Sequence, residues 1–179
     1  MSTTRIRDAL ENLSMLIAEQ PEKARAKNVP ATARVLEGLR CEVIGPNGET
    51  VHTDMPLAVG GTASAPAPGW LLRASLASCT ATVIAMRAAK LGVSLTTLEV
   101  TVESASDNRG MLGLDDKISA GLSPITTRVK IAARDLAADD LRELAEWGDH
   151  HSPIACTTRS SPSYSLEVEV VETREGARA

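Results

Sequence analysis

Residues 68–92 read PGWLLRASLASCTATVIAMRAAKLG, and the reading of this stretch decides the fold. Pro68 suits the first turn of a helix, where its missing N–H costs nothing, and Gly92 suits the left-handed residue that stops one. Between them Ala, Leu and Met favour helix. Leu72, Leu76, Cys79, Val83 and Met86 recur at alternating helical spacings and form one stripe, while Ala74, Ala77, Ala81, Ala85 and Ala88 keep the other faces slim. The charged side chains are Arg73, Arg87 and Lys90. A helix so nearly apolar all round is expected to be wrapped on most sides, as the central rod of a core. Its length, about 33 Å from the helical rise, would also span a bilayer, but Arg73, Arg87 and the Ser78-Cys79-Thr80 cluster argue against a membrane segment. Cys79 stands at the middle of the rod.

Upstream, DMPLAVGGTASAPAP (54–68) is rich in Gly, Ala and Pro and is expected to form an irregular loop feeding the helix. Before it, Leu39, Cys41 and Val43 alternate with Arg40, Glu42 and Ile44, and Gly45-Pro46-Asn47-Gly48 turns into Glu49–Thr53, which predicts a β-hairpin. Ile6, Leu10, Leu13 and Ile17 place an amphipathic helix over 4–20, and PEKARAKNVP (21–30) reads as a proline-bracketed linker. Residues 1–30 are therefore taken as an N-terminal helical extension, 31–171 as the domain and 172–179 as a polar tail.

Downstream, Leu98, Val100 and Val102 alternate with Thr97, Glu99, Thr101 and Glu103. Ile125, Thr127, Val129 and Ile131 alternate with Thr126, Arg128 and Lys130. These are two strands expected to pair antiparallel, Glu facing Arg and Lys. A helix is expected over Ala137–Trp147, with Leu141, Leu144 and Ala145 inward and Asp139 and Asp140 in its first turn. WGDHHSPIACTTRSSP is read as a turn, and Tyr164, Leu166, Val168 and Val170 as a last strand. The class is α+β.

The chain's 179 residues, 43% apolar, suffice for one domain, and a rod wrapped on all sides calls for a second copy. Net charge −4 without a basic block argues against nucleic acid and anionic membranes, and the absence of Phe removes base-stacking platforms. The expected partner is a small molecule or another subunit. Three cysteines without regular spacing do not form a secreted disulfide framework, and Arg5, Arg7, Asp8 and Glu11 interrupt any signal-like run. The default expectation is cytoplasmic, with no cofactor.

The order of hairpin, Gly/Pro loop, long helix with a central Cys, two strands, helix, X-Pro turn and strand resembles the OsmC/Ohr family, the osmotically inducible and organic hydroperoxide resistance proteins. The resemblance covers about 31–171 and rests on GGTASAPAPGWLLRASLASCTATVIAMRAAKLG, then on WGDHHSPIACTT leading to YSLEVEV. It implies an OsmC-like fold, with antiparallel sheets wrapped around the long helix in an intertwined homodimer. It also implies a peroxiredoxin-like chemistry, in which a thiolate attacks the peroxide O–O bond, a second Cys resolves the sulfenic acid, and an Arg and a Glu activate the thiol. Cys79 matches the attacking cysteine. The family's Glu follows the proline at the helix start, where this chain has Gly69; its loop Arg has no counterpart in 54–68; its resolving Cys precedes the X-Pro proline, where this chain has Ser152. Cys156, four residues on, is the displaced candidate, and Arg40 or Arg159 the candidate cation.

Read from the residues alone, Cys79 is either a redox nucleophile or a buried small residue, because mid-helix gives a thiol neither dipole help nor exposure. Cys41 alternates with core positions. His150 and His151, with Cys156, lack the spacing of a zinc site and are expected to cap helix carbonyls, so no metal is assigned. The functional expectation is reduction of organic hydroperoxides through Cys79. The alternative is a non-enzymatic protein of the same fold that binds a small lipophilic ligand or a protein partner, which the loss of a charge at Gly69 would suit.

Overall fold

The long helix forms as its end signals require. The structure, a computed structural model describing residues 3–160 and 162–171, places α2 at Pro68–Lys90 with Pro68 in its first turn. Gly92 (φ 72°) ends it. The Gly92 N–H donates to the Ala89 carbonyl (3.1 Å) and the Val93 N–H to that of Ala88 (2.8 Å), the paired bonds of a Schellman stop.

Around α2 the chain runs α1 (Thr3–Glu19), β1 (Thr32–Glu37), β2 (Arg40–Ile44), β3 (Thr50–Thr53), then after α2 β4 (Leu95–Ser104), α3 (Asn108–Met111), β5 (Ile125–Ala133), α4 (Ala138–His151) and α5 (Pro153–Arg159). One antiparallel sheet has the order β1-β2-β3 and a second pairs β4 with β5. The expected hairpin is β2–β3, closed by the Gly45 N–H on the Glu49 carbonyl (2.7 Å). The strand β1 was not separated from it in the sequence; Gly38 (φ 56°) makes the tight return. In the second sheet Glu99 stands opposite Lys130, and Arg128 pairs with Glu103, as the alternation of charge predicts.

The core is where α2 meets the second sheet and α4: Ile84, Ala88 and Leu144 are buried, with Val93, Leu98, Val100 and Ile131 packed on them. Gly148 permits the close crossing of α4, since a Cβ there would lie 2.3 Å from Ile84 Cγ1.

Several expectations are corrected. The buried row of α2 is Leu76–Thr80–Ile84–Ala88, whereas Leu72 and Met86 of the expected stripe are exposed even though α1, β4, α4 and α5 all pack along the rod within one chain. The segment after Trp147 is no turn: α4 runs on to His151, and after Ser152 the proline starts α5, because Pro153 cannot continue a helix but suits the first turn of the next. The loop 54–68 holds a 3-10 turn at Leu57–Val59, and the linker another at Pro21–Ala24. Tyr164, Leu166, Val168 and Val170, expected to form a last strand, pair with no strand among the described residues and are exposed. The expected tail 172–179 lies outside the described residues.

Candidate functional site

Cys79 is half-buried on α2, beside Thr80, which is fully buried. The Thr80 hydroxyl donates to Ser152 Oγ (3.3 Å), and the same oxygen caps α5 by accepting the Ala155 N–H (3.4 Å). Two buried hydroxyls thus satisfy each other where α2 meets α5, and the helix carrying the second thiol is tied to the turn carrying the first.

Cys156 sits on the exposed side of α5. Its S–H donates to the His150 carbonyl (3.0 Å), and Arg159 Nη2 lies 3.7 Å from the sulfur. Arg159 is itself held by Asp149, with Nη1 2.6 Å from Oδ2 and Nη2 donating to the Asp149 carbonyl at 3.0 Å. The candidate cation Arg159 therefore serves Cys156 and not Cys79. Arg40 is exposed at the start of β2, opposite Glu37. Among the described residues no arginine of the same chain bonds the Cys79 sulfur.

The histidines lie in the last turn of α4, not beyond its end, and each bonds a carbonyl of its own helix. His150 Nδ1 lies 2.8 Å from the Glu146 carbonyl and His151 Nδ1 2.7 Å from that of Trp147; since a carbonyl only accepts, each Nδ1 carries the proton. His151 also stacks on Trp147 (3.8 Å between centroids), and the Arg87 guanidinium lies 4.5 Å from the Trp147 ring centre. No cluster of three metal-ligating side chains occurs among the described residues.

Beside α5 a cavity of about 510 Å³ opens between Leu76 of α2, Ile125 and Val129 of β5, Ala145 of α4 and Ala155 of α5, with Arg142, Glu146, Asp149 and Arg159 at its edge. Its apolar floor and mixed-charge edge suit a small lipophilic molecule.

The sequence missed one residue outright. Asp54 is buried and accepts from the N–H of Met55 (2.7 Å), the N–H and hydroxyl of Thr62 (3.0 and 2.6 Å) and the N–H and hydroxyl of Ser64 (both 3.0 Å). These donors, the Thr62 hydroxyl foremost, hold its carboxyl far below the usual carboxylate range. Gly61 passes so close to the Met55 carbonyl that no Cβ fits there. The loop that looked structureless is thus wound around one carboxylate; an Asp followed by Gly, Thr and Ser within ten residues is the signal that could have found it.

At the head of α2, Gly69 has room for a side chain, its nearest neighbours being Leu122 Cδ1 at 3.8 Å and Arg73 Nη1 at 3.9 Å. Arg73 donates to Ser104 Oγ (3.1 Å).

Residues 61–167 match the family model described as OsmC-like protein. An OsmC-like protein of Mycoplasma pneumoniae superposes with a TM-score of 0.65 at 18% identity, covering 76% of this chain and 91% of that one. An organic hydroperoxide resistance protein of Legionella pneumophila superposes at 0.59 with 19% identity, covering 75% and 92%. A search of curated protein sequences finds no match.

Proposed function

The chain belongs to the OsmC-like protein family, and on that premise we propose that it is a thiol-dependent reductase of organic hydroperoxides, acting as a homodimer through Cys79. The observation that carries the reading is the buried Thr80–Ser152 bond, which ties the half-buried Cys79 turn of α2 to the helix that bears Cys156. The names of similar proteins, hydroperoxide resistance proteins in Legionella pneumophila and Bacillus subtilis, agree with it.

In this reading the Cys79 thiolate attacks the distal peroxide oxygen, an S–O bond forms as the O–O bond breaks, and the alcohol leaves with a proton. Sulfur has lost two electrons and become a sulfenic acid. The Cys156 thiol condenses with it, releasing water and leaving a disulfide that an external dithiol reduces with two electrons and two protons. Ser152, at the family's resolving position, cannot form that bond. The homodimer is supported by Leu72, an apolar residue of α2 left exposed in one chain, and by β1, all of whose residues are exposed there.

The test is consumption of cumene hydroperoxide with a dithiol reductant. We expect slow turnover that Cys79→Ser abolishes and Cys156→Ser only partly reduces, since Cys156 stands one helical turn from the family's position. Turnover that survives Cys79→Ser sinks the proposal. The cavity of about 510 Å³ supports the second reading, a binder of small lipophilic ligands. Tight binding of a fluorescent apolar probe, unchanged in Cys79→Ser and accompanied by no peroxide consumption, would favour it.

A further inference from the structure

The N-terminal helix α1 precedes the residues that match the family, yet it does not stand apart from the domain. It packs along α2, and between the two lies a cavity of about 140 Å³ lined by Leu10 and Ser14 of α1, Val83, Met86, Arg87 and Lys90 of α2, and Trp147 of α4. Cys79, Val83 and Met86 are spaced by four and then three residues, so they share one side of α2. The side that α1 covers at Val83 and Met86 is the side on which Cys79 sits one turn earlier.

Lengths are consistent with that cover. Cys79 lies about 6 Å along the α2 axis from Val83, while α1 runs about 10 Å to one side of Leu10 and about 13 Å to the other, from the helical rise. The apolar stripe of α1 is also wider than its contact. Ile6, Leu10 and Ile17 are half-buried toward α2, but Leu13 and Leu16, on the adjoining side of the same stripe, are 52% and 37% exposed. Its own chain leaves that apolar margin of α1 uncovered.

We propose that α1 roofs the face of α2 that carries Cys79 and sets the size of molecule that reaches its thiol. The exposed, proline-bracketed linker at 21–30 gives the roof a hinge of its own, separate from the sheet that follows. The inference needs no peroxide chemistry, and its test does not read any.

The test is alkylation of the full-length protein, read cysteine by cysteine by mass spectrometry, with iodoacetamide as the small probe and a bulky aromatic maleimide as the large one. Leu10→Asp places a charge against Val83 and Met86 and lifts α1. We expect the maleimide rate at Cys79 to rise about tenfold, the iodoacetamide rate to rise less, and Cys156, which lies on α5, to keep its rates. Ser14→Leu fills the cavity instead and should slow the maleimide at Cys79 in a fold left intact. Unchanged Cys79 rates in both variants overturn the proposal, and so does an equal rise at Cys156, which would assign the effect to loosening of the whole fold.

Discussion

The two sheets are built by the same alternation and meet different fates. In β4–β5, Val100, Val129 and Ile131 pack on Ile84 and Leu144, and the opposite face carries Glu103 paired with Arg128. In β1–β3, Val35 is 68% exposed and Val51 44%, and among the described residues no helix packs broadly over this sheet. Alternation states which face of a strand is apolar; it does not state which chain covers that face. One half of the molecule is finished by its own helices, whereas the other presents apolar strands, the exposed Leu72 of α2 and the unpaired segment 162–171.

The largest effect expected within the finished half is that of Ile84→Ala. Ile84 is fully buried where α2, the second sheet and α4 converge, so truncation should cost about 3 kcal/mol in denaturant unfolding. A loss below about 1 kcal/mol would show that this centre relaxes freely and that the contrast between the halves is weaker than the burial implies.

The unfinished half is tested by Val35→Asp. If the sheet remains bare, this surface change moves stability by no more than about 0.5 kcal/mol. On the homodimer reading it buries a charge between copies, and we expect about 2 kcal/mol of weakened association, seen as monomers in sedimentation at micromolar concentration where the native chain is dimeric. A native chain that sediments as a monomer would break the comparison.

Between the halves stands the Asp54 loop. Its carboxyl is more acidic in the folded chain than in the unfolded one, so the stability it lends is complete above the unfolded value of about 4 and is lost as pH falls below that. Asp54→Asn keeps the shape but puts an NH₂ where the loop offers only donors. It should lower Tm by ~5 °C at neutral pH, with the two proteins converging as pH falls from about 5 to about 2. A constant gap across that range would mean that the carboxylate's charge plays no part.

How much of this was legible follows from what each signal depends on. The ends of α2 were readable because Pro68 and Gly92 act through local backbone chemistry, and the pairing of β4 with β5 because Glu99, Glu103, Arg128 and Lys130 alternate in complementary register. The inward face of α2 was misread because its apolar residues wrap the whole helix, so that a row containing Thr80 could be the buried one only if Ser152 stood opposite. That partner is 72 residues away, and no local pattern announces it. The same holds for Arg159, whose partners Asp149 and Cys156 meet only because the supposed turn is helical.

The smallest effect concerns Gly69, the position at the head of the helix that both halves share where the resemblance implies a carboxylate. The position has room for a side chain, lies in the first turn where a carboxylate meets the helix dipole favourably, and stands four residues before the half-buried Arg73. Gly69→Glu should therefore stabilise the protein by about 0.5 kcal/mol, read as a higher denaturant midpoint with an unchanged slope. The chemical readout is separate. If a carboxylate here completes the thiol site, as the resemblance implies, hydroperoxide consumption through Cys79 rises with the stability while alkylation of Cys156 stays constant. If stability rises alone, Gly69 weakens only the helix, and the slow turnover we expect has its cause elsewhere, in the cation that no arginine among the described residues supplies to Cys79.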